Sequence, residues 1–132
     1  MTRYMLDTNA VSHLIRGHPA LTQRLLTVPM ASVSISAITE GELRFGLAKR
    51  PQAVRLHQAV KEFLLCVEVL PWESATAQIY GVQRASMERQ GRPLAALDLL
   101  IATHALAVDA VLVSNDRAFR QVTGLRVEDW AV

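Results

Sequence analysis

Asp7, Glu42, Asp98 and Asp116 are carboxylates in settings that favour apolar side chains. Asp7 closes the short run Tyr4-Met5-Leu6. Glu42 stands four residues after Ile38 and three before Phe45, so on a helix it projects along an apolar stripe. Asp98 lies inside Leu94-Ala95-Ala96-Leu97-Asp98-Leu99-Leu100-Ile101-Ala102, the most apolar helical stretch of the chain. Asp116 follows the run Leu112-Val113-Ser114-Asn115. Burying an unpaired carboxylate is costly. Two of them about 5 Å apart repel by roughly 3 kcal/mol at an effective dielectric near 20. If the fold gathers all four, a divalent cation is the natural neutraliser. An all-oxygen set with open positions suits Mg²⁺ or Mn²⁺. The chemistry would be hydrolysis by a metal-activated water. Asp7 and Asp98 would hold the ion most directly, with Glu42 and Asp116 completing the pocket.

Each acid also has a plain structural reading. Asp7 and Asp98 are favourable near helix N-termini. Asp116 suits the cap of a short turn over 117–121. Glu40 stands four before Arg44, an ion pair on a solvent face. Gly46, one turn beyond Glu42, costs about 1 kcal/mol relative to Ala in a helix, and close backbone approach would compensate.

The elements that would position the acids alternate along the chain. Strands are predicted at 3–6, 31–35, 66–70, 110–113 and near 126–128. Thr8 or Asn9 is expected to cap a helix carrying Val11, Leu14 and Ile15. Further helices are predicted at 19–27, 37–49, 52–65, 73–90 and 95–107, punctuated by Gly17, Pro51, Pro71, Gly91 and Pro93. Alternation implies an α/β fold, with a parallel sheet of about five strands and helices on both faces. Ligands bind such sheets beyond the carboxyl ends of the strands. Asp7 and Asp116 follow strands one and four, which are neighbours in most doubly wound sheets.

The 132 residues suit one domain spanning 1–132. Hydrophobic residues make up 51% and mean hydropathy is +0.20, which excludes a disordered chain. One cysteine, Cys66, excludes a disulfide scaffold and suits a reducing compartment. No apolar run approaches the roughly 18–20 residues of a membrane span. No signal-peptide core precedes Asp7, so a cytoplasmic location is expected. Net charge is +2, ordinary for a small domain, yet twelve of the fourteen basic residues are arginines. Arginine pairs bidentately with phosphate. An acidic pocket repels phosphate, so arginines around it must supply attraction; Arg16, Arg44, Arg92, Arg117 and Arg120 are the candidates.

The chain resembles a known family. Leu6-Asp7-Thr8-Asn9, Glu42-Leu43-Arg44-Phe45-Gly46, Asp98-Leu99-Leu100-Ile101-Ala102-Thr103-His104-Ala105 and Leu112-Val113-Ser114-Asn115-Asp116 resemble, in order, the four motifs of PIN-domain ribonucleases. The closing Gly124-Leu125-Arg126-Val127-Glu128-Asp129-Trp130 is similar to the C-terminus of the VapC toxins in that group. The resemblance implies a three-layer PIN fold and a Mg²⁺-dependent endoribonuclease acting as a toxin. It implies a VapB-type antitoxin, contact with operator DNA only through that antitoxin, and a homodimer. Its RNA substrate would be tRNA, in the most similar subgroup the anticodon loop of initiator tRNA. Asp7, Glu42, Asp98 and Asp116 match the acidic positions. Asn9 matches a supporting position, and Ser114 stands where threonine is more usual. Leu94-Ala95-Ala96-Leu97 replaces a stretch that more often holds glycine and proline.

Three other readings compete. A metal-free ribonuclease would use His13, His18, His57 or His104, none of which the spacing pairs. His104 reads as a satisfied helix residue. A phosphoaspartyl protein would use Asp7, but Asn9 stands where a dehalogenase-like phosphatase needs Asp, and no lysine follows Lys61. A non-catalytic partner-binding module would explain the apolar excess. The six glycines form no nucleotide-binding loop.

Overall fold

The computed structural model describes residues 1–132. Strand β1 (Tyr4–Leu6) runs directly into helix α1 (Thr8–Ile15). Asp7 itself caps α1: its backbone is extended, and its Oδ1 accepts the Ala10 N–H at 2.7 Å. The cap therefore falls one residue before the expected Thr8 or Asn9, because the strand's last extended residue carries the acceptor. Helix α2 spans Pro19–Leu25.

Strand β2 is Val33–Ser36 rather than 31–35. Met30–Ser32 winds into a 3-10 turn, in which the Ser32 hydroxyl donates to the Pro29 carbonyl at 2.6 Å. Ser36 then caps α3 (Ala37–Ala48) by accepting the Ile38 N–H at 3.1 Å. After Pro51 the chain turns once more, with the Ala53 N–H on the Arg50 carbonyl, so α4 is Val54–Cys66 rather than 52–65. Strand β3 shortens accordingly to Glu68–Leu70. Helices α5 (Ser74–Arg89) and α6 (Ala96–Ala107) flank a loop that Gly91 opens at positive φ. Strand β4 (Val111–Val113), a 3-10 turn over Arg117–Gln121 and strand β5 (Val127–Glu128) complete the chain.

All five strands are parallel, in the order β3-β2-β1-β4-β5. β1 and β4 are paired, with Leu6 opposite Val113, as the sequence suggested. Alternate residues feed opposite faces. Met5 and Leu112 join Met87, Ile101 and Phe119 on the side of α5 and α6. Leu6 and Val113 join Val11, Leu21, Val60 and Trp130 on the side of α1, α2 and α4. Ile38 packs with the first cluster and Leu43 with the second, so α3 spans both. The expected layered α/β architecture is what forms.

Candidate active site

The pairing of β1 with β4 places two loops side by side at the carboxyl end of the sheet. Asp7 is only 3% exposed, and its N–H bonds the Val113 carbonyl at 3.1 Å. On the neighbouring strand, Ser114 Oγ accepts the Asp116 N–H at 3.0 Å and donates toward the Asp7 carboxylate. Asp116 also caps its own 3-10 turn, with Oδ1 accepting the Ala118 N–H at 2.9 Å. Asp98, half-buried in the first turn of α6, faces Asp7, Asp116 and Glu42. The four acids thus meet at one place, and Asp98 is their hub.

The electrostatics follow from this crowding. Burial, opposed by the Ser114 hydroxyl and the Ala10 N–H and reinforced by Asp98 and Asp116, pushes the Asp7 carboxyl up to about 6. Asp98 is raised by burial first, then by Asp116 and Glu42. Glu42 is held in place by Thr8, whose hydroxyl donates to its Oε1 at 2.6 Å. No three His, Cys, Asp or Glu side chains close into a metal cage. Mg²⁺ needs none, since it is held by one or two carboxylates and keeps several waters. Two desolvated, mutually repelling carboxylates with two more beside them are a fitting donor set for such an ion.

Thr8, which the sequence offered as a helix cap, instead reaches an acid, a contact that sequence reasoning missed. Its only signal was its place beside Asp7, and the packing of α1 on α3 was needed to aim it at Glu42. Asn9 is exposed, and the hydroxyls that steady acids belong to Thr8 and Ser114. The apolar stripe expected to bury Glu42 is also incomplete, because Phe45 is 63% exposed. Glu42 is half-buried through its contact with α1. Gly46 makes no close backbone approach, since a Cβ there would meet open space; it borders a groove.

The arginines divide. Arg117 and Arg120 line a hollow of about 250 Å³ with Asn115, Asp116 and Asp129, beside the acids. Arg16 and Arg50 rim a groove of about 420 Å³ between α1, α3 and α4, with Thr8 and Glu42 in its wall. Arg44 instead pairs with Glu40 at 2.8 Å, the solvent-face pair expected from its spacing. Arg92 is exposed in the loop before α6. The histidines do not form one group. His13 stacks on His18 with ring centroids 5.6 Å apart, His57 bonds the Arg50 carbonyl, and His104 is buried.

The PIN domain family model matches residues 4–125. This chain is 35% identical over 132 residues to the tRNA(fMet)-specific endonuclease VapC of Shigella flexneri, covering 99% of this chain and 100% of that relative. The chain is a PIN-domain protein of the VapC family. Ribonuclease VapC2 of Haemophilus influenzae is 32% identical to it over 131 residues, 98% of this PIN-domain chain and 99% of the relative. Among solved structures, DNA-bound VapBC from Salmonella typhimurium superposes with a TM-score of 0.91 at 34% identity, covering 98% and 99% of the two chains. VapBC2 from Rickettsia felis, bound to a DNA fragment from its promoter, gives 0.88 at 30% identity, covering 96% and 98%. The three-layer PIN fold expected from the motifs is therefore the fold observed. No helix of this VapC-family chain is long and apolar enough to cross a membrane.

Proposed function

We propose that this VapC-family chain is a metal-dependent endoribonuclease and the toxin of a toxin–antitoxin pair. The observation that carries the reading is the convergence of Asp7 and Asp98, both desolvated and mutually repelling, with Glu42 and Asp116 beside them. Such a site is poised for a cation, Mg²⁺ in the cell and Mn²⁺ as a substitute. When bound, the ion supplies charge neutralisation at the phosphate and lowers the pKa of a water. Asp7 and Asp98 hold it, Glu42 and Asp116 complete the acidic field, and Thr8 and Ser114 fix the carboxylates they touch.

Arg117 and Arg120 bind phosphates flanking the cut, and Arg16 extends the attraction along the groove. Arg44 and Arg92 add diffuse positive charge. The substrate is a single-stranded tRNA loop, whose bases are accessible. The relatives named for tRNA(fMet) make the initiator anticodon loop the first target to try. A VapB-type antitoxin restrains the enzyme, and operator DNA is reached only through it. The apolar floor of the groove between α1, α3 and α4 is the surface we assign to that antitoxin. The toxin acts in the cytoplasm as a homodimer and as one domain over residues 1–132.

Incubation of the purified chain with initiator tRNA tests this directly. Hydrolysis by water predicts 5′-phosphate and 3′-hydroxyl ends, and loss of cleavage in EDTA. Cyclic 2′,3′-phosphate ends made in EDTA would replace this reading with a histidine ribonuclease. A folded chain inert on RNA in Mg²⁺ and in Mn²⁺ would replace it with a binding module.

A further inference from the structure

Ser36 and His104 form a polar pair inside the protein, Ser36 being 0% and His104 1% exposed. Ser36 Oγ lies 2.7 Å from His104 Nδ1, across 68 residues of sequence. The same oxygen accepts the Ile38 N–H at 3.1 Å, so its proton is free for Nδ1. That assigns the ring proton to Nε2, beside the Pro71 backbone. Burial holds the ring below its usual titration range, in keeping with a neutral acceptor.

The placement of the pair is the informative part. Ser36 caps α3 six residues before Glu42, and His104 lies on α6 six residues after Asp98. Ser36 meets His104 at one end, and Glu42 faces Asp98 at the other. The two helices therefore pass in opposite senses, pinned at a point about 9 Å along each from its acid at about 1.5 Å per residue. A sliding or rotation of either helix would break a short directional bond between buried groups. For stability alone the pair has little merit, since two apolar side chains of the same shape would serve nearly as well. Trp72 offers an internal contrast. Its indole N–H donates to the Leu100 carbonyl at 3.0 Å, tying α6 to the β3–α5 connection but not to α3.

We propose that Ser36 and His104 are positioning residues that fix how α3 presents Glu42 to Asp98, and thereby set the affinity of the acidic centre for its divalent cation. The inference rests on the reading of the four acids as a cation site. Neither residue touches the substrate or the ion.

The test is Mn²⁺ binding to the purified full chain, by calorimetry and electron paramagnetic resonance, beside a metal titration of RNA cleavage. Ser36→Ala and His104→Leu should each weaken Mn²⁺ binding about tenfold, the low end of what loss of a ligand-orienting partner costs. The metal concentration for half-maximal cleavage should rise by the same factor, with kcat at saturating metal little changed. His104→Asn, whose carboxamide oxygen can accept from Ser36, should recover most of the affinity. Trp72→Phe should lower the melting temperature and leave Mn²⁺ affinity alone. If His104→Leu does not fold, Ser36→Ala, which deletes a single oxygen, carries the comparison. Wild-type Mn²⁺ affinity in a folded Ser36→Ala variant would overturn the proposal, provided Asp98→Asn loses the metal. Wild-type Mn²⁺ affinity in Asp98→Asn would instead overturn the acidic-site reading on which it stands.

Discussion

The acidic centre and the groove between α1, α3 and α4 share a wall, Thr8 and Glu42, yet they are built on opposite physics. In the centre, carboxylates are desolvated and pushed together, so the fold is least comfortable where its chemistry lies. The groove is floored by Ile15, Leu47, Leu56 and Val60 and rimmed by Arg16 and Arg50. It would gain by being covered, whereas the centre would gain by being filled with a cation. The contrast teaches that α3 serves both sites, with Glu42 bordering each.

Asp98→Asn should separate the two regions most sharply. Cleavage should fall by about 10²–10³-fold, the scale of losing one preorganised electrostatic group. The metal-free melting temperature should hold or rise, because a repelling charge has gone, and antitoxin capture should persist. A concurrent loss of stability and activity would mean that Asp98 is structural.

The next effect is on pH. An acid whose folded pKa lies above its unfolded value holds its proton more tightly in the fold. Asp7, at about 6 against an ordinary 3.8, therefore contributes full stability below the lower value and loses it as pH rises through the upper one. The loss is on the order of 3 kcal/mol. Without divalent metal, the wild type should melt lower at pH 7.5 than at pH 5, by about half of that loss, since the rest is already gone at pH 5. Asp7→Asn, which keeps a good helix cap, should flatten that dependence. Cleavage should run the other way and decline on acidification, at a pH below 6 because a bound cation favours the ionised Asp7 carboxylate.

On the groove side, Leu56→Glu should weaken antitoxin binding by about 2 kcal/mol, the worth of one buried leucine, with cleavage rates kept. Equal loss of both would mean that the groove is part of the catalytic surface. The smallest effect belongs to the shared wall. Thr8→Val removes the hydroxyl but not the bulk, at about 1 kcal/mol. A several-fold drop in cleavage at limiting metal is expected, with melting lowered by only a few degrees.

Much of this was legible in the chain. Strand and helix alternation fixed the fold class, because period and punctuation are local properties. Asp98 stood out inside an apolar run, Asp7 and Asp116 followed strands, and the ordered motifs made them a set with Glu42. Boundaries were less legible. The 3-10 turn at Met30–Ser32 and the extra turn after Pro51 depend on hydrogen bonds that compete with the helix and strand patterns.

What the order of residues could not convey was which neighbour each acid would acquire. Asp7 and Asp116 were placed together by a general rule of doubly wound sheets, and the β1–β4 pairing bore that out. Glu42 needed Thr8 from α1, and α3 needed Ser36 held against His104. Those contacts join residues 34 and 68 positions apart, and no periodicity reaches so far. Local sequence therefore set the elements and the chemical types. The packing of α1, α3 and α6 set the distances between carboxylates, and electrostatic energy depends on those distances.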